Sequence, residues 1–468
     1  MDPQTVRCRN RIPTFSALFC KPSSLLIVLI GILLSFFRKD YIFRSLIRYT
    51  AMPGLPNQFH GRSPCVLWMA PFLSSGGYSS EAWSYILALN KAAKNNSIRL
   101  QVLPHGDAPS LEFISGWSED MIELIPKVAQ SLCPLNEAIV VCHSEPGAWH
   151  PPLFQTVPCP LYGYLRDAGA SAPPVVGRTM FETDRLTEEH VARCNRMDYV
   201  WVPSDFHVST FVRSGVEPSK VVKIVQPVDV DFFDPYRYDP LELVGDLVLG
   251  ETKPDHAFVF LSIFKWELRK GWDVLLKAYL TEFCALDGVA MYLLTNPYHT
   301  DNRFSNKIVE FVKKSDLMRP ESGWAPVYVM DTHIAQVDMP RLYKAADAFV
   351  LASRGEGWGR PLVEAMAMEL PVISTNWSGP TEFLTEENSY PLMVEKMSEV
   401  EEGPFKGHLW AEPSVNHLQS LMRCVTVNRE ESRRKARHAR KDMTRRFSPE
   451  VVADIVVQQF HSIASTAA

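Results

Sequence analysis

The sequence predicts an α/β protein with two doubly wound domains, each built on a parallel β-sheet. Three observations indicate this fold class. Short apolar runs recur along the chain, stretches of helical periodicity alternate with them, and a Pro- and charge-rich segment near residues 234–256 divides the runs into two series. The length of 468 residues fits two domains of about 200 residues each.

The first series of predicted strands begins at Pro64. In chain order the strands are PCVLWMAPF, IRLQVLPHG, NEAIVVCHS, PPVVGRTMFE, MDYVWVPSD and VVKIVQPVD. Each is an apolar run bounded by turn residues, which is typical of strands covered on both faces. The first helix is predicted in SSGGYSSEAWSYILALNKAAK, where a Gly-Gly turn precedes apolar residues at helical spacing.

The second series begins at AFVFLSIF and continues with GVAMYLLTN, APVYVMDT, AFVLAS and PVISTN, with helical patterns such as GWDVLLKAYLTEF and MPRLYKAAD between them. We therefore predict an N-terminal domain at residues 51–245 and a C-terminal domain at 246–447. A tail with an anchor occupies residues 1–50, and a final helix at 448–468 is expected to cross back to the first domain. Since ligands of such sheets bind beyond the carboxyl ends of the strands, we expect a site in the cleft between the domains.

An uncharged apolar segment lies near the N-terminus. Ser23–Phe37 reads SSLLIVLIGILLSFF, and no small-residue cleavage site follows it. We expect a single-pass, uncleaved anchor in a Golgi or endoplasmic reticulum membrane, although its length of roughly 22 Å is short for a bilayer and a buried or interfacial helix is the alternative. Basic residues are equally numerous on both sides, so the orientation stays open. Asn95, in an Asn-x-Ser triplet, would be a glycosylation acceptor only in a lumen.

Composition excludes several classes of site and partner. The net charge of -5 gives no electrostatic reason to expect nucleic acid as a partner. The nine cysteines include no CxxC pair, so zinc-site spacing is absent, and the scattered set is not typical of a disulfide framework, although one or two luminal bridges remain compatible with it. Residues 429–446 carry nine Lys and Arg, which indicates a solvated helix face or contact with an anionic membrane surface.

Residues 349–388 carry the clearest chemical signal. The predicted strand AFVLAS ends at a loop that contains Gly355, Gly357 and Gly359, and Pro361 then opens the predicted helix LVEAMAM. Glycines before a helix let the backbone approach a phosphate, and the helix N-terminus offers free N–H groups and a partial positive charge. The pattern therefore predicts a diphosphate at the start of this helix.

Two carboxylates bracket the same turn. Glu356 lies in the loop, where a carboxylate can accept hydrogen bonds from sugar hydroxyls. Glu364 lies in the first part of the helix and can reach a ribose diol, because an acceptor-only group pairs well with vicinal hydroxyls. The alternative for Glu364 is a purely structural interaction with the helix dipole.

The run GEGWGRPLVEAMA, with Glu356 and Glu364 separated by seven residues and followed by PVI and SGPTEF, resembles the nucleotide-sugar-binding signature of the family 4 retaining glycosyltransferases. The resemblance covers roughly residues 64–460 and implies the GT-B fold, in which two Rossmann-like domains face a central cleft. It also implies that Glu356 contacts the donor sugar and Glu364 the ribose of the nucleotide. The other donor-binding residues that it implies around the helix start are Gly357, Trp358, Gly359, Arg360, Pro361 and Leu362.

A basic turn lies in LSIFKWELRKGWDVLL. Members of the family usually carry an Arg after this strand and a Lys a few residues later, both facing the diphosphate. By resemblance Lys265 takes the first place and Lys270 the second, and Arg269 can substitute for either. Fixed cations stabilise the charge that the leaving diphosphate gains. The alternative is an ordinary basic surface turn.

The first domain supplies further candidates. Gly76 and Gly77, in SSGGYSSEAW, resemble the family's Gly-rich loop and would lie close to the phosphates and the acceptor. The loop VCHSEPGAW resembles a His-Glu-Pro loop of some relatives, so His143 and Glu145 are candidate acceptor contacts, although a lone His is more often structural.

One departure from the family concerns the segment after PPVVGRTMFE. Many relatives place a His there, whereas this chain continues to Asp184 without one. Glu182 or Asp184 is expected to take its role as a hydrogen-bond acceptor. The predicted catalytic set is therefore Lys265, Lys270, Glu356 and Glu182.

The resemblance implies retaining transfer of a hexose-type sugar from a nucleotide-sugar donor to a glycan, lipid or small-molecule acceptor. We find no convincing Asp-x-Asp metal motif in a loop after a predicted strand, and the resemblance implies helix ends and cations in place of a metal, so neither a metal nor a cofactor is expected. The alternatives are a nucleotide-sugar epimerase, which would need no acceptor, and a non-catalytic membrane-bound scaffold of the same fold. A pyridoxal-phosphate-dependent phosphorylase and an NAD dehydrogenase are less favoured, because no sequence pattern for either is found.

Overall fold

The computed structural model describes residues 63–467 apart from short gaps. The gaps are residues 95–96, 107–108, 118, 131–132, 135–136, 161–173 and 298–299. The predicted anchor at residues 23–37 and the Asn95 triplet lie outside the described residues. Within the described part, no helix has both the length and the apolar character that a membrane span requires.

The first sheet has six parallel strands in the order β2-β1-β3-β4-β5-β6. Each strand lies inside one of the predicted apolar runs, which confirms the predicted parallel sheet. We call the part built on it the N-terminal lobe. Its strands are β1 Cys65–Ala70, β2 Arg99–Pro104, β3 Ala138–His143, β4 Val175–Arg178, β5 Tyr199–Val202 and β6 Val221–Lys223.

The helices of this lobe begin and end at recognisable signals. The Thr187 hydroxyl accepts the N–H of His190 at the start of one helix, and Ser204 caps the next in the same way. Gly215 ends the latter helix with φ of 108°, a backbone conformation that favours glycine. The helices are α1 Gly77–Lys94, α2 Leu111–Ser115, α3 Glu119–Gln130, α4 Glu188–Cys194 and α5 Asp205–Ser214.

The second sheet has the order β13-β12-β11-β8-β9-β10-β7, and the predicted strands of the second series form its centre. We call the part built on it the C-terminal lobe. Its strands are β7 Asp246–Leu249, β8 Phe258–Trp266, β9 Val289–Pro297, β10 Val327–Met330, β11 Ala348–Leu351, β12 Val372–Thr375 and β13 Tyr390–Leu392. Its helices are α6 Trp272–Glu282, α7 Phe304–Lys314, α8 Met339–Lys344, α9 Arg360–Ala367 and α10 Val415–Val427.

Strand β7 lies within the segment that the sequence indicated only as a connection. It pairs antiparallel with β10 at the edge of the second sheet. Its four residues are exposed or half-buried, so they do not form the continuous apolar run by which a central strand is recognised. An edge strand of this kind leaves little periodicity in the sequence.

Two further elements link the lobes. A hairpin of β14 Val394–Glu399 and β15 Leu409–Pro413 follows the second sheet. After α11 Arg429–Phe447, the last helix, α12 Pro449–Ala467, packs against α1. The Phe460 ring of α12 contacts Trp201, with ring centroids 5.4 Å apart. The chain therefore returns to the N-terminal lobe at its end.

The basic helix α11 uses part of its charge internally. Arg440 donates to the carbonyl oxygens of Ala367 and Phe233 at 2.6 and 2.8 Å, and buried Lys435 donates to the Ser389 carbonyl at 3.1 Å. These bonds tie the helix to the connection between the lobes and to the second sheet. Other cations of the helix, such as Arg433 and Arg437, are exposed, as a solvated face requires.

The N-terminal lobe contains two disulfides, Cys65–Cys133 and Cys142–Cys159. Their Cα atoms lie 5.6 and 5.5 Å apart. The sequence did not predict this pairing, because the four cysteines are separated by irregular intervals and only the tertiary fold brings the members of each pair together. Cys194, Cys284 and Cys424 are free thiols.

Removing either disulfide is expected to destabilise the protein. The bridges close loops with sequence separations of 68 and 17 residues. A chain-entropy treatment then gives about 4 kcal/mol for Cys65→Ala and about 3 kcal/mol for Cys142→Ala, lost from the free energy of unfolding. Urea unfolding measures both values. Alkylation of the unreduced protein tests the pairing itself. Among the seven described cysteines, only the three free thiols should be labelled. Equal labelling of all seven would contradict the pairing.

Candidate active site

The glycine loop lies at the carboxyl end of β11 and leads into α9. Gly359 has φ of 101°, in the left-handed region, and directly precedes the first helical residue, Arg360. Pro361 lies in the first turn of the helix, where its missing N–H has no intrahelical partner to lose. The N–H groups of Leu362 and Val363 donate to the Gly359 carbonyl at 2.9 and 3.3 Å, so the helix start offers a partial positive charge rather than a set of free N–H groups.

Two glycines of this loop allow the lobes to approach each other. A Cβ atom at Gly355 would collide with the carbonyl oxygen of Glu182. A Cβ atom at Gly357 would lie 2.6 Å from the sulfur of Met180. The sequence analysis assigned these glycines to phosphate approach alone, whereas the structure uses them to seat the segment after β4 against the loop.

Glu356 is buried at the centre of this arrangement, with 6% of its surface exposed. The Lys270 ammonium donates to both of its carboxylate oxygens at 2.7 and 2.9 Å. Burial by itself raises the pKa of Glu356, but the nearby charges of Lys270 and Arg269 outweigh it and lower the pKa below its usual value. Glu356 is therefore held as a carboxylate.

The basic turn between β8 and α6 lies beside the glycine loop. Arg269 donates to the Gly355 carbonyl at 2.7 Å, and its guanidinium lies 3.8 Å from the carboxylates of both Glu356 and Glu182. Lys265 is half-buried, and this burial lowers the pKa of its ammonium. Residues 86 positions apart in the chain are thus brought together.

Glu364 lies further along α9 with partners of its own. The Tyr343 hydroxyl donates to its carboxylate at 2.9 Å, and the Arg360 guanidinium lies 3.8 Å away. Burial raises the pKa of Glu364. Tyr343 and Arg360 thus fix the position of this carboxylate, and its ribose-binding role stays a prediction.

Two of the predicted donor-binding residues have their side chains in the core. Trp358 is 2% exposed, and its ring packs on Phe383 and Phe447 with centroids 5.1 and 5.6 Å apart. Leu362 is fully buried in the same core. Their side chains do not line the cleft, so at these positions only the backbone is available to a ligand.

In the N-terminal lobe, Gly76 and Gly77 lie at the start of α1. A Cβ atom built on either glycine would meet nothing within 4 Å. The neighbouring Tyr78, which the sequence analysis did not single out, holds its hydroxyl 3.0 Å from the Thr179 hydroxyl and 3.2 Å from the Met180 carbonyl. The Gly-Gly signal located this loop, but the tyrosine beside it is the residue that reaches the segment after β4.

His143 lies in the interior, which corrects its assignment as an acceptor contact. Its Nδ1 accepts the indole N–H of Trp68 at 3.1 Å, and its Nε2 donates to Glu81 at 3.0 Å. Arg178 donates to the other oxygen of Glu81 at 2.9 Å. Both ring nitrogens of His143 are therefore used within a fully buried network.

The buried network around Glu81 is expected to contribute less to the stability of the protein as the pH falls. Burial by itself raises the pKa of Glu81, but Arg178 and His143 lower it to about 2 from 4.5. A carboxyl with a depressed folded-state pKa contributes stability above its unfolded-state pKa and loses it as the pH falls towards the folded-state value. The difference in free energy of unfolding between wild type and Glu81→Gln is therefore expected to shrink from about pH 4.5 to about pH 2. A constant difference over this range, followed by chemical unfolding, would refute the assignment.

The carboxylates after β3 and β4 differ in their surroundings. Glu145 is half-buried, and burial together with the Glu182 carboxylate raises its pKa. Glu182 itself is 36% exposed and faces Arg269. Asp184 instead accepts the Leu409 N–H at 2.7 Å and joins the segment to β15, so a substrate-binding role for it has no support in this arrangement.

One residue beside the glycine loop was missed. Arg354 is almost fully buried and donates to the carboxylates of Asp273 and Glu412 at 2.7–2.9 Å. It also donates to the Leu268 carbonyl of the basic turn at 2.7 Å. Its position directly before Gly355 was the available signal. Arg354 holds the basic turn, the start of α6 and the hairpin in one arrangement.

No cluster of three or more His, Cys, Asp or Glu side chains suited to a metal ion occurs in the part of the chain that the structure describes. The expectation of metal independence therefore stays a prediction.

The comparisons with known proteins agree with this geometry. Residues 255–402, which include the basic turn and the glycine loop, match the sequence model of the family glycosyl transferases group 1. A mannosylfructose-phosphate synthase of Agrobacterium fabrum is 27% identical over 150 residues. That alignment covers 31% of this chain and 32% of the relative, so the chain matches about a third of that protein's length.

Solved structures resemble the chain over most of its length. A sucrose-phosphate synthase from Thermosynechococcus elongatus has a TM-score of 0.57 at 14% identity, and covers 86% of this chain and 100% of its own. HepE from Anabaena, solved in complex with UDP and glucose, has a TM-score of 0.54 at 14% identity. That match covers 85% of this chain and 100% of HepE. A glycosyltransferase from Rickettsia africae has a TM-score of 0.56 at 16% identity, and the match covers 86% of this chain and 99% of that protein.

The chain has the GT-B fold. Residues 255–402 match the glycosyl transferases group 1 model, and the two sheets, parallel except for the edge strand β7, are those of the fold class that the sequence predicted.

Proposed function

We propose that the protein is a retaining, metal-independent glycosyltransferase that uses a nucleotide-sugar donor of the hexose type. The observation that carries this proposal is the contact between Lys270 and Glu356 beside the start of α9. A cation and a carboxylate thereby lie next to the partial positive charge of a helix start, and together these groups suit a sugar diphosphate.

The leaving diphosphate would be stabilised from two directions. The N-terminus of α9 offers a partial positive charge, while Lys265 at the end of β8 and Arg269 and Lys270 of the basic turn supply cations. In the structure the Glu356 carboxylate accepts the hydrogen bonds of the Lys270 ammonium. A bound diphosphate would compete for this ammonium and free the Glu356 carboxylate to accept hydrogen bonds from the donor sugar.

The nucleoside would be held by Glu364. Its carboxylate is oriented by the Tyr343 hydroxyl, which leaves acceptor capacity for the two ribose hydroxyls. Retention without a covalent intermediate requires the acceptor hydroxyl to attack from the face that the diphosphate leaves. We place this acceptor at the loops of residues 76–78 and 144–149.

The proposal is tested with a panel of nucleotide sugars, beginning with UDP-hexoses because a similar fold has been solved with UDP and glucose. The correct donor at 100 times its dissociation constant is expected to raise the free energy of unfolding by about 2.7 kcal/mol. The Glu356→Ala variant should then turn over that donor more slowly than the wild type, because it lacks the carboxylate proposed to bind the donor sugar. Donor binding with no turnover under any acceptor condition would favour a non-catalytic scaffold, and no binding by any member would contradict the proposal.

We further propose that residues 63–467 face an oxidising lumen, on a chain anchored in a Golgi or endoplasmic reticulum membrane by residues 23–37. The two disulfides of the N-terminal lobe support this side, because such bonds persist in oxidising compartments and are rare in the cytosol. Protection from protease in intact microsomes is the expected result. Digestion of this region without detergent would place it on the other side.

A further inference from the structure

The carboxyl ends of β1, β3 and β4 form the edge of the N-terminal lobe that faces the glycine loop. Three side chains, those of Tyr78, Glu145 and Glu182, lie on this edge. The Tyr78 hydroxyl lies 3.0 Å from the Thr179 hydroxyl and the Tyr78 ring centroid 5.9 Å from that of His143, so the start of α1, the end of β3 and the segment after β4 meet here. Burial raises the pKa of the Tyr78 phenol, and the nearby carboxylates of Glu182 and Glu145 raise it further. Burial and the Glu182 charge likewise raise the pKa of Glu145. The negative charges of Glu145 and Glu182 therefore both act on the region around the Tyr78 hydroxyl.

No basic side chain of these loops offsets this negative charge. Residues 76–78, 144–149 and 179–184 contain no Lys, Arg or His. Arg178, at the end of β4, is 1% exposed and is paired with Glu81 in the buried network. This edge of the lobe is therefore acidic in its described loops.

The next arginine along the chain is engaged elsewhere. Arg185 donates to the Gly407 carbonyl of the hairpin and to Asp184, the latter at 3.1 Å. The cations that face the edge, among them Arg269 at 3.8 Å from Glu182, come from the C-terminal lobe. In the proposed function these cations serve the donor diphosphate.

We propose that the acceptor bound at this edge is an unphosphorylated polyol, either neutral or amine-bearing, and that Glu145 and Glu182 bind its hydroxyl or ammonium groups. Carboxylates accept hydrogen bonds from hydroxyls and pair with ammonium groups, whereas a phosphate monoester placed beside them is repelled. The inference rests on the proposed function, whose acceptor it specifies.

The reaction follows with atoms balanced. The attacking hydroxyl oxygen of the polyol forms a bond to the anomeric carbon, and the bond from that carbon to the diphosphate oxygen breaks. The bonding electron pair leaves with the nucleoside diphosphate. The hydroxyl proton passes to the departing phosphate oxygen. Glu145 and Glu182 orient the acceptor, and neither carboxylate forms a bond or takes up a proton in the reaction.

The test uses matched pairs of sugars with and without phosphate: glucose, fructose and glucosamine, each beside its 6-phosphate. The full-length protein is saturated with UDP, and the stabilisation by each sugar is measured by thermal unfolding, so that no transfer step is needed. We expect the unphosphorylated member of at least one pair to bind at least tenfold more tightly than its phosphate. Preference for the phosphate in any pair, or no response to any unphosphorylated member, overturns the inference.

Variants show whether the two carboxylates cause the discrimination. In the double variant Glu145→Gln, Glu182→Gln, the preference is expected to fall below threefold, while Glu217→Gln, an exposed carboxylate outside the site, retains it. Undiminished preference in the double variant would also overturn the inference. Failure of the proposed function is separate, since it would appear as loss of nucleotide-sugar binding and turnover whatever the sugar pairs do.

Discussion

Replacing Lys270 with alanine is expected to lower kcat for sugar transfer by about 100- to 1000-fold, the usual effect of removing one group that stabilises developing negative charge. Lys270 is the cation bonded to the buried Glu356, beside the helix start at which the diphosphate is proposed to lie. Steady-state release of nucleoside diphosphate measures the change.

The controls separate charge from folding. Lys270→Arg restores the positive charge and should recover part of the lost rate. Lys314→Ala removes an exposed lysine of α7 and should leave kcat unchanged. A rate for Lys270→Ala within threefold of wild type, with unfolding unaffected, would mean that the leaving group is stabilised elsewhere.

Replacing Arg178 with methionine is expected to cost about 3–5 kcal/mol of the free energy of unfolding, because it leaves the Glu81 carboxylate buried beside His143 without its arginine. Only 1% of the surface of Arg178 and of Glu81 is exposed, so water cannot replace the lost partner. Equilibrium unfolding in urea at neutral pH gives the value.

A matched exposed pair provides the comparison. Arg303 bonds Asp301 at 2.7 Å, but 73% of its side chain is exposed. Arg303→Met should therefore leave unfolding unchanged within experimental error. A loss for Arg178→Met no larger than that for Arg303→Met would show that the buried network is not a structural requirement of the N-terminal lobe.

The sequence predicted the features that local chemistry determines. The central strands could be recognised because both of their faces are covered and their residues are almost all apolar. The start of α9 could be recognised because Gly359 and Pro361 have strong conformational preferences. The proximity of Lys270 to Glu356 followed from the family signature, and nothing in the local sequence of either residue required it.

Features that depend on tertiary contacts could not be predicted. His143 lies at the end of a strand, as a ligand-binding residue would, and only the positions of Trp68 and Glu81 in space show that its nitrogens are used internally. Trp358 lies inside the signature, yet its ring faces the core formed with α11. Asp184 binds β15, which lies more than 200 residues away in the chain.

The central claim is that a diphosphate lies between Lys270 and the start of α9. Calorimetric titration of the nucleoside diphosphate of the preferred donor, and of the corresponding nucleoside, into wild type and Lys270→Ala tests it most directly. The account predicts that Lys270→Ala weakens binding of the nucleoside diphosphate by about 10- to 100-fold, as expected for the loss of a charge-assisted hydrogen bond, and leaves binding of the nucleoside unchanged. Equal affinity of the two proteins for the nucleoside diphosphate would contradict it.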